Sequence, residues 1–287
     1  MLNKRYAKLG VDFKQVNNVK PTLRINTLKI SKKELVSRLR KKGVKLQDVL
    51  FLKHGFYFES DFSLGATPEY LLGYYYLQEA ASQLPPIVLD PKEGELVLDM
   101  AAAPGSKTTY LAQLMNNKGK IYACDSNSLR LRSLQNNLER LGVTNTIIFR
   151  RDARFIDDLA IEFDKILLDA PCSGNFCVNP NYYIQRTLQD INMMAEKQKQ
   201  LVKTAFKLLK KEGVLVYSTC SLEPEENEMI VEYALSLGFK LEDTGLNVGD
   251  PGFSEVFGLK LKDMSKTRRF WPHKHDTEGF FIAKLRK

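Results

Sequence analysis

At 287 residues, with 44% apolar and 27% charged residues, the chain has the composition of a folded protein able to bury a substantial core. No apolar run approaches the roughly 18–20 residues that span a bilayer, and Met1–Gly10 carries Lys4, Arg5 and Lys8 with no apolar stretch behind them. A membrane role and an export signal are therefore not expected, which places the protein in the cytoplasm with its four cysteines as thiols. The net charge is +9, and it is uneven: residues 1–45 hold fourteen Lys and Arg against Asp12 and Glu34, residues 259–287 are also basic, and the middle is acidic. Basic ends around an acidic centre point to a polyanion gripped near the ends and a reaction centre between them.

Residues 1–85 read as a small basic α+β module with a linking helix. Pro21–Ile30 alternates apolar and polar residues, the pattern of a half-buried strand. Ser31-Lys-Lys-Glu34 has capping-box spacing and opens a helix with an apolar stripe of Leu35, Val36 and Leu39, ended by Gly43. That helix would expose Lys32, Lys33, Arg38, Arg40, Lys41 and Lys42, a face suited to a phosphate backbone. Phe56-Tyr-Phe58 reads as a short strand. Thr67 as cap and Pro68 at the first helical position start a helix expected to run through Leu71, Leu72, Tyr75, Tyr76 and Ala80 until Pro85-Pro86 stops it.

Residues 86–287 form the second expected domain. Strands are predicted at 95–99, 120–124, 146–149, 164–169, 213–219, 239–241 and 279–283, with helices near 106–116, 127–141, 154–161 and 188–211 between the first five. The alternation predicts an α/β, doubly wound, mostly parallel sheet. Residues 170–187 and 243–275 are the long irregular stretches, where function is often placed. Cysteine and histidine spacings, including Cys172 to Cys177 and the histidines His54, His273 and His275, match no zinc pattern.

In such a sheet the carboxyl ends of the strands open on the crevice. Ile166–Gly174 is an apolar run that ends in Asp169 and is broken by Pro171 before Cys172; Gly213–Ser221 ends the same way in Cys220. A single free cysteine is most often a small buried hydrophobe; two at matching strand ends call for chemistry. Cys124 and Cys177 read as structural. Upstream, Val97–Thr109 is a strand, a turn of small residues and a helix. Ala101, Ala102, Ala103, Pro104, Gly105 and Ser106 would let a ligand approach the backbone, with an anionic group at the helix amino terminus and Lys107 placed to pair with a carboxylate. Neither G-x-G-x-x-G nor G-x-x-x-x-G-K-[ST] is present. Asp125, twenty residues past Gly105, is placed for ribose hydroxyls, and Asp152 for an adenine amino group. Any one of Asp99, Asp125 and Asp152 reads equally as a cap. All three in series favour adenosine, and a carboxylate-bearing adenosine ligand points to S-adenosyl-L-methionine.

These motifs resemble the Nol/Nop/Sun family of RNA cytosine carbon-5 methyltransferases, and within it the archaeal-type tRNA enzymes. The resemblance is carried by Asp99-Met-Ala-Ala-Ala-Pro-Gly-Ser-Lys-Thr108, Asp169-Ala-Pro-Cys-Ser-Gly174 and Ser218-Thr-Cys-Ser221 with Pro224-Glu-Glu-Asn-Glu228. Arg24-Ile-Asn-Thr-Leu-Lys29, Arg269-Phe-Trp-Pro-His273 and Gly279-Phe-Phe281 add to it. Ala101 and Ser106 depart from the Cys-Ala-Ala-Pro-Gly-Gly-Lys of many members, and both are small. The resemblance implies a Rossmann-like class I methyltransferase sheet, with residues 101–107 around the methionine end of S-adenosyl-L-methionine, Asp125 and Arg130 at the ribose, Asp152 at the adenine, and Asp169 between cofactor and base. It also implies Cys220 as nucleophile and Cys172 as the residue that frees the product. DNA cytosine methyltransferases use a Pro-Cys cysteine, so the residues alone leave the choice between Cys172 and Cys220 open. The expected partner is RNA, with tRNA preferred over rRNA, and the expected state a monomer. A non-catalytic ribosome-assembly factor and an amino-group methyltransferase that needs neither cysteine are the competing readings.

Overall fold

The computed structural model describes residues 3–11, 19–177 and 179–287, so that Met1, Leu2, Asp12 and Lys14 of the basic amino-terminal stretch lie outside the described residues. After a short helix α1 (Asn3–Lys8), an antiparallel sheet forms from β1 (Thr22–Ile25), β2 (Lys45–Asp48), β3 (Gly55–Glu59) and β4 (Tyr75–Leu77), in the spatial order β2-β3-β1-β4. Helix α2 (Lys32–Lys41) buries Leu35 and Leu39 against Leu23, Ile25, Phe56 and Tyr75 of this sheet. Its six predicted cations all remain exposed. The Ser31 hydroxyl accepts from Glu34 N, as a cap should, but the Glu34 side chain pairs with Arg38, so only half of the expected capping box forms.

Three local expectations give way to tertiary context. β1 is buried at all four positions rather than alternately, because its polar face is turned onto the second sheet's layer. The helix expected from Thr67 to Ala80 is a single turn, α3 (Pro68–Leu71). Gly73, at φ +75°, reverses the chain where a Cβ would meet Arg140 O at 1.9 Å, and Tyr75–Leu77 then pairs with β1. Pro85 and Pro86 start a helix, α4 (Leu84–Leu89), rather than stop one; the first turn has no use for the missing N–H groups.

The second sheet is built from β5 (Leu96–Asp99), β6 (Lys120–Asp125), β7 (Thr146–Arg150), β8 (Phe163–Asp169) and β9 (Leu209–Thr219), all parallel, with α5 (Ser106–Leu114) and α6 (Ser128–Leu141) as crossovers between β5 and β7. Between β8 and β9 run α7 (Tyr182–Gln185) and α8 (Leu188–Leu208). Beyond β9 come α9 (Glu228–Ser236), β10 (Lys240–Glu242), β11 (Asp250–Pro251), a small ribbon of β12 (Glu255–Val256) and β13 (Leu259–Lys260), β14 (Arg268–Phe270), α10 (Pro272–His275) and β15 (Phe280–Arg286). The order is β7-β6-β5-β8-β9-β15-β14-β11, with β10 also on β15, and β15 runs antiparallel to β9. This is the expected Rossmann-like α/β sheet. Two differences are local. Residues 154–161 form two 3₁₀ turns instead of a helix, the first capped by Asp152 and the second ended by Ala160 at φ +50°. Helix α8 stops at Leu208 and passes straight into β9, where Leu209 already pairs with Phe163. Among the described residues no helix is long and apolar enough to cross a membrane.

One buried cation joins the two sheets. Arg24 of β1 is fully buried; its Nη1 donates to Gln78 Oε1 (2.7 Å) and to Ser106 O (2.6 Å), its Nη2 to Thr109 Oγ1 (2.8 Å), and its guanidinium lies 4.4 Å from the Tyr110 ring centroid. Burial lowers its pKa to about 10, so it stays charged at neutral pH. Arg24→Ala is expected to strand these acceptors and cost about 3 kcal/mol of stability, read as a lower urea midpoint, with Arg24→Lys falling between the two because it keeps the charge and loses the fork.

Candidate active site

The parallel register sets Asp169 beside Ser218 and Leu167 beside Asp99, so that β5, β8 and β9 end together. Ala170 N donates to Ser218 O (2.8 Å) and Met100 N to Leu167 O (3.0 Å), carrying the ladder into the turns that bear the predicted residues. A cavity of about 490 Å³ lies at these ends, and its wall includes Ala101, Ala103, Asp125, Arg130, Asp152 and Asp169 together with Cys172 and Cys220. The structure thus gathers residues from five strand ends into one hollow.

At one part of the wall, Asp125 is buried. Its Oδ1 accepts from Asn127 N (2.9 Å), while its Oδ2 lies 3.2 Å from Arg130 Nη1 without a hydrogen-bond donor. A buried carboxylate oxygen without a donor, on a residue of the cavity wall, fits a ligand hydroxyl, and so fits the ribose of the expected cofactor. Arg130 Nη2 also donates to Ala103 O, tying α6 to the small-residue turn. Asp152 faces the same cavity, but both its oxygens accept from Arg154, whose backbone N–H it also caps. Asp99 is fully buried below the turn, accepting from Thr108 Oγ1 (2.7 Å) and Ala101 N (3.4 Å); burial pushes its pKa up to about 6. Within the turn, Ala102 is buried and Pro104 exposed. Gly105 sits at φ +105°, and a Cβ there would meet Leu134 Cδ1 at 2.9 Å. Its glycine requirement comes from α6 packing as well as from any ligand. Ser106 supplies the carbonyl that Arg24 holds.

Lys107 pairs with a carboxylate as predicted, and the carboxylate is Asp169: Nζ lies 2.7 Å from Asp169 Oδ2 and donates to Ser82 Oγ at 2.8 Å. Asp169 Oδ1 accepts from Ser218 Oγ (2.8 Å). The Lys107 ammonium is therefore engaged by the Asp169 carboxylate and by the linking segment.

Cys172 Sγ and Cys220 Sγ are 2.9 Å apart, both partly exposed to the cavity, and all four cysteines are thiols. The neighbouring Cys220 sulfur, then burial, then the charge of Glu226 hold the Cys172 thiol well above its ordinary range. Cys124 is buried, its Sγ facing Arg151 O, and burial pushes it up to about 12. Cys177 is pushed up to about 11 by burial. Among the described residues no group of His, Cys, Asp and Glu is arranged to hold a metal.

Several residues that fix this geometry carried no assigned role in the sequence reading. Asn175 Nδ2 donates to Cys220 O (2.6 Å), and Asn227 bridges Thr219 Oγ1 (2.6 Å) and Ser221 O (2.9 Å). Glu228 and Arg269, both fully buried, form an ion pair, and Arg269 Nη1 donates to Leu222 O (3.0 Å). The Pro224–Glu228 and Arg269–His273 motifs are thus the supports of the Cys220 loop.

Residues 86–286 match the family described as 16S rRNA methyltransferase RsmB/F, and residues 4–80 match the N-terminal domain of 16S rRNA methyltransferase RsmF. A tRNA (cytosine(49)-C(5))-methyltransferase of Pyrococcus abyssi is 43% identical, over 94% of this chain and 88% of its own length. A 28S rRNA (cytosine-C(5))-methyltransferase of Mus musculus is 44% identical over 96% of this chain. The chain spans 36% of the length of that mouse protein and 55% of a Pyrococcus horikoshii tRNA (cytosine(72)-C(5))-methyltransferase. Among solved structures, a methyltransferase homolog from Pyrococcus horikoshii superposes with TM-score 0.87 at 48% identity, covering 94% of this chain and 87% of that one. NSun6 from the same organism, with SFG, superposes with TM-score 0.87 at 34% identity, covering 99% and 94%.

Removing Cys220 removes the first cause of the raised Cys172 pKa. A raised thiol pKa means less thiolate at a given pH, so Cys172 in Cys220→Ala should react faster with iodoacetamide at pH 8 than in the unaltered protein. Peptide mass spectrometry across pH 7–10 reads this, and equal rates would show that the neighbouring sulfur does not hold the thiol up.

Proposed function

Because the chain belongs to the RsmB/F family of methyltransferases, we propose that it transfers a methyl group from S-adenosyl-L-methionine to carbon 5 of a cytosine in RNA. The observation that carries this reading is the pair of cysteine sulfurs 2.9 Å apart on the wall of the cavity that also holds Asp125 and Asp169. Asp125 and Arg130 would hold the ribose, Asp152 the adenine edge, and residues 101–107 the methionine end. When bound, the cofactor supplies an electrophilic methyl on a sulfonium.

Carbon 5 of cytosine is a weak nucleophile, and a thiolate added to carbon 6 raises its electron density. Cys220 is assigned this addition, forming a carbon–sulfur bond at carbon 6. The Lys107–Asp169–Ser218 cluster would lie beside the base, where the proton given up by the Cys220 thiol and taken up at ring nitrogen 3 would be held by a hydrogen bond to the Asp169 carboxylate, stabilising the adduct. After methylation, loss of the carbon-5 proton to a base re-forms the 5,6 double bond and expels the Cys220 sulfur. Cys172, in contact with that sulfur, is assigned to the release step. The target base must be unstacked to reach the cavity, which favours loops or junctions of folded RNA.

Residues 1–85 are assigned RNA binding, with the exposed cations of α2 as the phosphate-facing surface, and 86–287 catalysis. A tRNA substrate is proposed by likeness to the Pyrococcus tRNA (cytosine-C(5))-methyltransferases that are 43% and 47% identical to this chain.

Cys172→Ala, incubated with S-adenosyl-L-methionine and total RNA, should accumulate a covalent protein–RNA adduct on denaturing gels, and sequencing the trapped RNA identifies the target. Cys220→Ala should yield neither adduct nor 5-methylcytosine. Trapping by Cys220→Ala alone would exchange the two roles, and methylation retained in both variants would refute the covalent route.

A further inference from the structure

The residues next to the two cysteines converge on one buried side chain. Ser173, which follows Cys172, donates its backbone N–H to Glu226 Oε2 (2.9 Å) and its hydroxyl to Glu226 Oε1. Ser221, which follows Cys220, donates its hydroxyl to the same Oε1 (2.7 Å). Gln198 of α8 completes the set, its Nε2 donating to Glu226 Oε2 (2.9 Å) and to Pro171 O (2.9 Å) on the other side of Cys172. Glu226, Ser221 and Gln198 are fully buried and Ser173 nearly so. The Glu226 carbonyl is in turn held by the Tyr217 hydroxyl from within β9.

We infer that Glu226 is a positioning residue that sets the spacing of the Cys172 and Cys220 sulfurs, by tying the residue after each cysteine to a single buried carboxyl group. The parallel ladder ends at Ala170 and Ser218, so both cysteines lie on loop backbone past the last strand-to-strand contact. Something beyond the ladder must fix their separation, and within the described contacts the carboxyl of Glu226 is the group that touches both following serines. Glu226 is not part of the cavity wall; it holds the cysteine loops through Ser173 and Ser221. Because, after the Cys220 sulfur and burial, its charge also raises the Cys172 thiol, losing that charge alone would speed oxidative bridging of the two cysteines, so a slower rate reads the loss of the tie. The inference rests on the proposed pairing of the two cysteines in one reaction, though the spacing itself can be read without activity.

Two substitutions separate positioning from mere bulk. In Glu226→Gln the amide oxygen can accept from Ser173 N and Gln198 Nε2 while the amide N–H₂ donates to the two serine hydroxyls, each of which has a lone pair to accept. The tie survives without the charge. In Glu226→Ala it is lost. The first readout is bridging of Cys172 to Cys220 by diamide, in which two thiols lose two protons and two electrons to the diazene, which becomes the hydrazine; the disulfide is followed by mass spectrometry. The second is methyl transfer to RNA.

Glu226→Ala should bridge at least ~10-fold more slowly and lose ~100-fold in kcat, as a displacement of about 1 Å at reacting groups does, with KM for S-adenosyl-L-methionine unchanged. Glu226→Gln should recover both to within about threefold, since its bonds are of comparable strength. Bridging at the unaltered rate in Glu226→Ala overturns the inference, and so does a Glu226→Gln variant as impaired as Glu226→Ala. If Glu226→Ala does not fold, Ser221→Ala removes the tie on the Cys220 side, whereas Ser173→Ala would remove only a hydroxyl bond and keep the Ser173 N–H bond to Glu226 Oε2; Ser221→Ala should slow bridging by at least about twofold, and an unaltered rate refutes the role. A wild-type protein that methylates no RNA would defeat the functional reading and leave the bridging rates decisive for Glu226.

Discussion

The parallel register of β8 on β9 is the constraint on which the site depends. Side chains alternate faces along a strand, so a slip of one residue would turn Asp169 away from Ser218 and send the two cysteine loops out at different heights. The register is enforced by the apolar residues that precede it. Ile166, Leu167 and Leu168 pair in order with Leu215, Val216 and Tyr217, and all are buried on both faces of the sheet. With that pairing fixed, Asp169 and Ser218 meet at the sheet's end, Cys172 follows three residues after the one and Cys220 two after the other. The polar site is thus placed by an apolar interaction, and its own hydrogen bonds have only to refine the last few ångströms.

The same end of the sheet is tied to the amino-terminal module by two polar links. Arg24 reaches from β1 into the first turn of α5, and Lys107, one residue past the carbonyl that Arg24 holds, joins Asp169 to Ser82 in the segment between the two sheets. Glu79 in that segment is half-buried, accepts from Ser82 N (2.9 Å) and Glu278 N (3.0 Å), and is raised by desolvation to about 7. The linking segment is therefore part of the support of Lys107 and Asp169. Its prolines lie in a helix packed under the sheet, with Leu84, Val88 and Leu89 buried beside Val97 and Val214.

Much of this was legible in the sequence for a simple reason. The strands that end in Asp99, Asp125, Asp169 and Cys220 are continuous apolar runs broken by turn residues, and parallel strands buried on both faces write themselves that way. The turn of Ala101–Gly105, the Lys107 pairing and the cysteine pair could be placed once those ends were known. What was not legible is what only packing decides. Leu71, Leu72, Tyr75 and Tyr76 fit a helical stripe as well as a strand after a turn, and pairing with β1 chooses the strand. Arg24 reads as the outward residue of an amphipathic strand until a second layer covers it. The Arg154 side chain that donates to both Asp152 oxygens stands two residues on, and nothing in the run of residues shows that it folds back onto them. Glu226 stands in a run of glutamates that looks solvated in one dimension and is buried in three.

The charge pattern shows the same limit and its remedy. Both ends of the chain are basic, and the sequence gives no reason to treat them differently. In the folded protein the carboxyl-terminal cations are largely engaged within the chain: Arg269 with buried Glu228, Lys284 and Arg286 with Glu242, Lys274 with Asp250, Lys266 with Asp263. In the amino-terminal helix α2, Lys32 pairs with Asp48, Arg38 with Glu34 and Lys42 with Glu69, while Lys33, Arg40 and Lys41 stand in the open beside them. Exposed cations keep their pull on a polyanion over a Debye length of about 8 Å at physiological salt, while cations neutralised at close range do not. On the proposed reading, attraction of RNA therefore falls to the amino-terminal module, and the buried fork of Arg24 gives that attraction a fixed relation to the cavity where Cys220 waits.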